Sequence, residues 1–259
     1  MQHEYKKFVP SSLFEGMTSL RALIAARNGE NPQNDRKILR VYFASESKTR
    51  LEKELSWLRH RANELNFSIL PISTEELTAR TTGNTHGGII AECSERTIPP
   101  LSAATLPSSG FYILLDGIED PYNFGYALRS LYAMGVDGVL LPERNWMSAA
   151  GVVARASAGA SELIPLYTAA ASEAVSYFRF HNYRVIAADV RTQVELQRAN
   201  LKKPLLLVVG GEKRGISREL LNKCDEIVKI PYGRAFPAAL SAASASTILG
   251  YEVMRQNAE

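Results

Sequence analysis

The strongest constraint on the fold is the alternation of short apolar runs with helix-length amphipathic segments in the second half of the chain. The apolar runs lie at residues 111–115, 138–141, 184–188, 205–209 and 226–230. Segments with the length and polarity pattern of helices lie at residues 123–134, 148–157, 170–180, 216–223 and 239–256. A strand buried on both faces of a parallel sheet is continuously apolar, and a helix is its usual connection to the next strand. The pattern therefore predicts an α/β fold with a mostly parallel sheet covered by helices.

The first hundred residues predict a smaller α/β unit. Its expected elements are, in chain order, a helix at 11–28, a strand at 40–44, a helix at 46–66 and strands at 67–71 and 88–92. Residues 97–109 contain three prolines and several Ser and Thr, which is the composition of a linker. We therefore expect two domains, residues 1–105 and residues 106–259.

Composition excludes several classes of protein. The 259 residues are 46% hydrophobic and 22% charged, as in a soluble protein with a proper core, and the net charge of +3 does not by itself indicate an anionic partner. No segment approaches the roughly 18 apolar residues of a membrane span or the apolar core of a signal peptide. Cys93 and Cys224 are far apart and the four histidines are scattered, so neither a disulfide nor a metal site is predicted. We expect a cytoplasmic protein.

Three segments carry residues suited to chemistry. In the first, a polar loop follows the apolar run at 111–115, and Asn123 and Arg129 come next. Binding sites of parallel α/β sheets lie in loops beyond the carboxyl ends of the strands, which is where this loop is expected. Taken alone, Asn123 is better explained as a helix cap and Arg129 as a surface residue. The density of polar and small residues just after a strand end favours a functional role.

The second segment, residues 205–217, is an apolar run that ends in Gly210, Gly211 and Glu212. Glycines at a strand end let the backbone approach a ligand closely. A P-loop has Lys and then Ser or Thr after its last glycine, whereas Ile216 follows Gly215 here, so triphosphate binding is not predicted. A plain turn and a ligand-binding loop both remain open for this segment.

The third segment, residues 229–246, leads from Ile230-Pro231 through a loop into a helix rich in Ala and Ser. Small residues allow close approach of two backbones, and a tightly packed helix alone would explain much of the run. The hydroxyls of Ser241 and Ser244 would need partners if they are buried.

Together and in this order, the three segments resemble the SpoU/TrmH-type RNA ribose 2′-O-methyltransferases of the SPOUT superfamily, over residues 110–256. The residues that match the three family motifs are Asn123, Gly125 and Arg129, then Gly210 and Glu212, then Ile230, Pro231 and Leu240. The third motif departs from the family pattern, because Ala239-Leu240-Ser241 stands where the family has Ser-Leu-Asn. Residues 36–95 resemble, mainly through residues 86–92, the ribosomal-protein-like substrate-binding module that often precedes such a domain.

The resemblance implies a deep trefoil knot at the C-terminal end, S-adenosylmethionine as cofactor, a homodimer, and an RNA substrate, ribosomal RNA in preference to transfer RNA. Neither a metal ion nor a membrane is expected as a partner, on the sequence observations given above. The residues expected to hold the cofactor are Gly210, Gly211, Ile230, Leu240 and Ser241. Those expected to act in methyl transfer are Arg129, Asn123 and Glu212.

The first domain is expected to be a small α/β RNA-binding domain that selects the substrate. Its candidate RNA contacts are His86 and Asn84 in a glycine-rich turn, and Lys48 and Arg50 at the basic start of the predicted helix at 46–66. The altered third motif leaves one alternative open, a relative that binds RNA but has weak catalysis or none. A small-molecule α/β enzyme is a more distant alternative.

Overall fold

The computed structural model describes residues 13–81, 86–143, 149–211 and 214–258. The strands are, in chain order, β1 (Leu13–Glu15), β2 (Ile38–Ala44), β3 (Ser68–Ile72), β4 (Ile89–Cys93), β5 (Phe111–Asp116), β6 (Gly138–Leu141), β7 (Leu166–Thr168), β8 (Arg184–Ala188), β9 (Leu205–Gly210) and β10 (Glu226–Val228). The α-helices are α1 (Gly16–Ala25), α2 (Glu52–Leu65), α3 (Thr74–Arg80), α4 (Pro121–Ala133), α5 (Ala150–Ala156), α6 (Ala160–Leu163), α7 (Ala171–Phe180), α8 (Arg218–Leu221) and α9 (Ala242–Gln256).

The described chain forms two compact units. The first contains residues 13–97 and 149–163, and the second contains residues 98–143 and 164–258. The sequence predicts a single division after residue 105, so the return of residues 149–163 to the first unit is a difference from the expected domain organisation.

The first unit has a four-stranded mixed sheet with the order β1-β4-β2-β3. The helix predicted at 11–28 begins late, because residues 13–15 pair antiparallel with β4 instead, and Gly16, with a φ of +79°, turns the chain into α1. Helices α1 and α2 cover one face of the sheet, where Leu20, Leu55 and Leu58 are fully buried. Helix α3, which the sequence analysis missed, covers the other face through Leu77.

A buried polar network holds residues 160–163 in the first unit. The Glu162 carboxylate accepts hydrogen bonds from Arg36 Nε at 3.1 Å and from Asn34 Nδ2 at 2.8 Å. The Glu162 main-chain oxygen accepts a third from Asn31 Nδ2 at 3.0 Å. The side chains of Arg36 and Glu162 are only 4% and 3% exposed. Because buried charges are stable only when paired, this network explains why the segment belongs with residues 31–36.

The second unit is built on a six-stranded, wholly parallel sheet with the order β10-β8-β9-β5-β6-β7. Five of its strands confirm the five apolar runs, to within two residues at their ends. The sixth, β7, has three residues and was missed because so short a run gives no periodic signal. Strand β9 lies between β5 and β8, so the last long strand inserts into the middle of the sheet.

Helices cover both faces of this sheet. On one face α7 and α8 pack through Val175, Phe178 and Leu220. On the other, α4 and α9 pack against each other, and a Cβ at Gly250 would contact Leu131 at 3.4 Å. The carboxyl ends of all six strands lie at one edge of the sheet, because the strands are parallel, and α4 begins at that edge directly after β5.

Candidate functional site

Three loops meet at the carboxyl edge of the second unit's sheet. Register pairs Asp116, the last residue of β5, with Gly210, the last residue of β9. Ala188 at the end of β8 pairs with Val209 on one side and with Val228 of β10 on the other. The loops after these strands therefore start side by side, although their residues are far apart in sequence.

The glycines in these loops are required by contact between backbones. A Cβ on Gly210 would lie 2.6 Å from the carbonyl carbon of Gly215, and a Cβ on Gly211 would overlap the carbonyl of Gly117. Gly215 has a φ of +59° and donates its N–H to the Gly211 carbonyl at 2.9 Å. The sequence predicts that the absence of side chains at these glycines lets a ligand approach the backbone. In the structure, their lack of side chains lets the neighbouring loops pack against them, and these loops form the wall of a pocket.

The pocket at this edge has a volume of about 180 Å³. It is lined by Ala188, Asp189, Val190, Val209, Gly210, Gly211, Gly215, Val228, Ile230, Tyr232, Ala239, Leu240 and Ala245. Four of the five residues expected to hold the cofactor, Gly210, Gly211, Ile230 and Leu240, are thus brought together. Apolar walls with backbone groups at strand ends suit a flat, mostly uncharged ring that is oriented by main-chain hydrogen bonds.

Ser241, the fifth, does not line the pocket. Its Oγ accepts a hydrogen bond from the Ser244 N–H at 3.1 Å and lies 3.0 Å from the Ser244 hydroxyl. Ser241 is therefore the N-cap of α9. Ser241 is half-buried and Ser244 is exposed, so the burial on which the expected need for partners depended is not found.

Asp189 is the one charged side chain among the described residues that line the pocket, and the sequence analysis missed it. Its carboxylate accepts two hydrogen bonds from the Arg191 guanidinium, and these hold the pKa of Asp189 below its usual value. Only the position just after an apolar run could have drawn attention to it.

Asn123 and Arg129 lie on α4 rather than in the pocket. The Asp120 carboxylate caps this helix by accepting the Asn123 N–H at 2.8 Å, and Pro121 occupies the first turn, as expected for a helix start. Arg129 is exposed. It is eight residues beyond Pro121, which corresponds to about 12 Å along the helix, so it lies away from the carboxyl edge of its own chain. Glu212 falls outside the described residues.

The predicted RNA contacts of the first unit are divided between buried and exposed positions. His86 is buried, and its Nδ1 accepts the N–H of Gly88 at 3.0 Å, so the ring shapes the turn, which argues against a direct contact with RNA. Lys48 and Arg50 are exposed on turns that precede α2, and Arg50 Nη2 lies 3.3 Å from the Gly87 carbonyl. Asn84 lies outside the described residues.

A second basic group in the first unit was missed by the sequence analysis. Arg27, Lys37 and Arg40 surround a cavity of about 590 Å³ near the start of β2 and the end of α2. These residues are separated in sequence and alternate with apolar ones, so no charge run indicates them.

Neither a membrane-spanning helix nor a cluster of metal ligands is found among the described residues. No described helix is long and apolar enough to cross a bilayer. Among the same residues, no three His, Cys, Asp or Glu side chains are grouped so that they could hold a metal ion.

Comparison with known proteins gives one consistent result. Residues 110–251 match the SpoU rRNA Methylase family. The chain is 32% identical over 228 residues to the "uncharacterized tRNA/rRNA methyltransferase" of Mycobacterium avium (strain 104), covering 84% of this chain and 71% of that protein. It is 29% identical over 215 residues to the 23S rRNA (guanosine-2′-O-)-methyltransferase RlmB of Shewanella oneidensis, covering 80% and 86% of the two chains.

The fold also matches solved structures. The AdoMet-bound rRNA methyltransferase from Sinorhizobium meliloti superposes with a TM-score of 0.78 at 20% identity, covering 95% of this chain and 88% of that one. At this identity the likeness establishes a shared fold.

Proposed function

The chain belongs to the SpoU rRNA Methylase family, and from that membership we propose that it transfers a methyl group from S-adenosylmethionine to a ribose 2′-hydroxyl of RNA, ribosomal RNA in preference to transfer RNA. The single observation that carries the proposal is the pocket at the carboxyl edge. It unites Gly210, Gly211, Ile230 and Leu240 from two motifs that are separated in sequence.

The residues of this pocket fit the cofactor. Val209, Val228, Ile230 and Leu240 supply apolar walls for the adenine ring. The strand-end backbone near Gly210 supplies donors and acceptors without side-chain bulk. When bound, S-adenosylmethionine supplies a methyl group that is already activated by its sulfonium. The protein then has to hold the ribose in line with that methyl and to exclude water, and positioning of this kind lowers barriers by on the order of 7–11 kcal/mol in good cases.

Arg129 is proposed to bind an RNA phosphate and to orient the ribose. A guanidinium has five N–H donors in a planar fork and no acceptor, so phosphate binding suits it better than removal of a proton. Asn123 and Glu212 are proposed to shape the same reaction centre. Because Arg129 lies about 12 Å along α4 from the carboxyl edge, the Arg129 that completes a pocket is proposed to come from a second copy of the chain.

We propose a homodimer formed by α4 and α9. The small residues of α9 are not its contact surface, because Ala242, Ala243, Ser246 and Gly250 are buried within their own chain. The outward faces carry exposed apolar side chains, which are Tyr122, Tyr126 and Tyr132 on α4 and Ile248, Tyr251 and Met254 on α9. Patches of this kind mark interaction surfaces in soluble proteins.

Two further parts of the proposal rest on the family resemblance. The C-terminal end is proposed to form a deep knot, and the insertion of β9 between β5 and β8 is compatible with it. The first unit is proposed to select the RNA through contacts with its phosphates. One group of basic residues follows the end of β2 and contains Lys48 and Arg50, and the other lies near its start and contains Arg27, Lys37 and Arg40.

The test is transfer of radiolabelled methyl from S-adenosylmethionine to bulk ribosomal RNA, followed by alkaline hydrolysis. A 2′-O-methyl blocks cleavage of the adjacent linkage, so the expected label runs in alkali-resistant dinucleotides. Label in mononucleotides would mean base methylation and would overturn the ribose assignment.

A second candidate function is RNA binding with weak methyl transfer or none. The observation that favours it is the use of the Ser241 hydroxyl as a helix cap, at a motif where the family usually has an asparagine. Calorimetry separates the two, because this candidate predicts RNA binding with weak affinity for S-adenosylmethionine or none.

A further inference from the structure

An exposed aromatic pair lies on the loop that borders the cofactor pocket. This rim loop comprises residues 231–240. Tyr232 and Phe236 are 37% and 58% exposed, and their ring centroids are 6.4 Å apart at an interplanar angle of 49°. Two large rings in contact with each other and largely open to water are unusual on a surface that has no function.

The pair is fixed relative to the pocket. The Tyr232 hydroxyl accepts a hydrogen bond from the Leu240 N–H at 3.1 Å, which ties the start of the loop to its end. Tyr232, Ala239 and Leu240 all line the pocket. Pro231 and Pro237 restrict the backbone at both sides of the rings, which lowers the conformational entropy that is lost when a ligand binds.

A cation accompanies the two rings. Arg234 lies between them in sequence, is exposed, and forms no ion pair with any described acidic residue. An arginine beside exposed aromatic rings matches single-stranded nucleic acid, in which planar bases alternate with phosphates.

We propose that Tyr232 and Phe236 form a stacking platform for a base of the RNA that lies next to the methylated nucleotide, and that Arg234 contacts its phosphate. This inference rests on the proposed function, because the methyl acceptor has to reach the mouth of the pocket that the rim loop borders. The platform selects unpaired RNA at the reacting centre, since a base must leave its helix in order to stack on a side chain.

The experiment uses the full chain and a fluorescein-labelled single-stranded RNA of mixed sequence. Phe236→Ala is expected to weaken RNA binding, measured by fluorescence anisotropy, by on the order of tenfold, as loss of base stacking does elsewhere. Phe236→Trp keeps a stacking surface and should bind like the unaltered protein. Calorimetric affinity for S-adenosylmethionine should be the same in all three proteins.

Phe180→Ala is the matched control. Phe180 is the most exposed aromatic ring of the second unit at 83%, but it ends α7 just before β8 begins, so it lies at the opposite edge of the sheet from the pocket. Its removal should leave RNA affinity unchanged.

Three results would overturn the platform. They are normal RNA affinity in Phe236→Ala, an equal loss in Phe180→Ala, and dissociation of a dimer by Phe236→Ala in light scattering, which would make the rim loop a subunit contact. The proposed function fails separately if the unaltered protein neither binds S-adenosylmethionine nor methylates RNA while the anisotropy difference persists. Absence of RNA binding by the unaltered protein would overturn both.

Discussion

Arg191 and Asp189 form a bidentate ion pair at the carboxyl end of β8, with Nε–Oδ1 and Nη2–Oδ2 distances of 2.8 and 2.7 Å. The same Arg191 Nη2 donates to the carbonyl of Ile216 at 2.6 Å. Asp189 lines the pocket, and Ile216 ends the loop that folds Gly215 over Gly210. The pair therefore ties two walls of the pocket together before any ligand binds, and pre-formed sites bind with a smaller entropic cost.

Arg191→Lys is expected to weaken S-adenosylmethionine binding by about tenfold. A lysine keeps the charge but has no planar fork, so it cannot hold Asp189 by two bonds and also reach Ile216. Calorimetry gives the affinity, and the thermal midpoint should fall only slightly because the lysine keeps a positive charge beside the Asp189 carboxylate.

Arg184→Lys is the control for this prediction. Arg184 starts the same strand and pairs with Glu226 at 2.8 Å, but at the edge of the sheet away from the pocket. Equal losses of cofactor affinity in the two variants would show that the effect is general to β8 and would contradict the role given to Arg191.

The stability supplied by Asp189 is expected to depend on pH in acid only. Its hydrogen bonds with Arg191 lower its pKa in the folded state, whereas the unfolded value is about 3.9. A carboxylate whose pKa is lowered by folding stabilises the folded protein at pH values above its unfolded pKa. This stabilisation is lost as the pH falls through the folded pKa. The difference in urea midpoint between the unaltered protein and Asp189→Asn should thus be constant from pH 7 to about pH 5 and shrink below about pH 4. A difference that grows in acid would have the wrong sign.

Gly210→Ala is expected to abolish measurable S-adenosylmethionine binding, because a single methyl would lie 2.6 Å from the Gly215 carbonyl carbon and displace the loop from the pocket wall. Gly233→Ala is the control, since a Cβ there has no heavy atom within 4 Å and the residue belongs to the rim loop. Binding should survive in the control. Near-normal affinity in Gly210→Ala would mean that the loop is not part of the binding site.

The sequence predicts the second unit well because its strands are buried on both faces. A continuous apolar run such as residues 205–209 indicates a strand that is buried on both faces. The motif residues that follow these strands lie together, because parallel strands have their carboxyl ends at the same edge of the sheet. The Asp189–Arg191 pair could not be foreseen, because its meaning depends on contact with Ile216, which is far along the chain.

Other features depend on long-range contacts that leave no local pattern. His86 was expected to contact RNA from a glycine-rich turn, yet its ring is buried and accepts a hydrogen bond from the Gly88 N–H. Residues 149–163 have an ordinary helical pattern, and only long-range contacts place them in the first unit. These contacts are the packing of Ala150 and Ala154 in its core and the burial of Glu162 against Arg36. A fragment that starts at residue 106 would leave Glu162 without Arg36 and Asn34, so such a fragment is a poor test of dimer formation by the second unit.

Glu162→Ala is expected to destabilise the protein by about 3–5 kcal/mol, because it leaves the Arg36 guanidinium buried without its partner. Urea unfolding followed by circular dichroism measures the loss. The double variant Arg36→Met with Glu162→Leu should recover part of it, since an apolar pair often replaces a buried ion pair without net cost. Asn34 and the buried Arg96 still lose the Glu162 carboxylate in that variant. Arg59→Ala, which breaks the exposed pair with Glu52, should change stability by under about 1 kcal/mol. A loss of similar size in both single variants would contradict the importance given to burial.

Arg129→Ala is expected to lower methyl transfer by a factor of about one hundred or more while leaving S-adenosylmethionine affinity unchanged. Loss of a group that orients the substrate at a reacting centre has an effect of about this size. The unchanged affinity follows because Arg129 does not line the pocket. Arg198→Ala is the control, as its side chain is 80% exposed on the same unit and has no part in the proposed site.

If Arg129 acts from the second subunit, mixing inactive Arg129→Ala with inactive Gly210→Ala should restore activity. The mixed dimers contain one intact pocket, and the intact Arg129 of the other subunit completes it. Mixed dimers that form but stay inactive would place both residues in the same subunit's site.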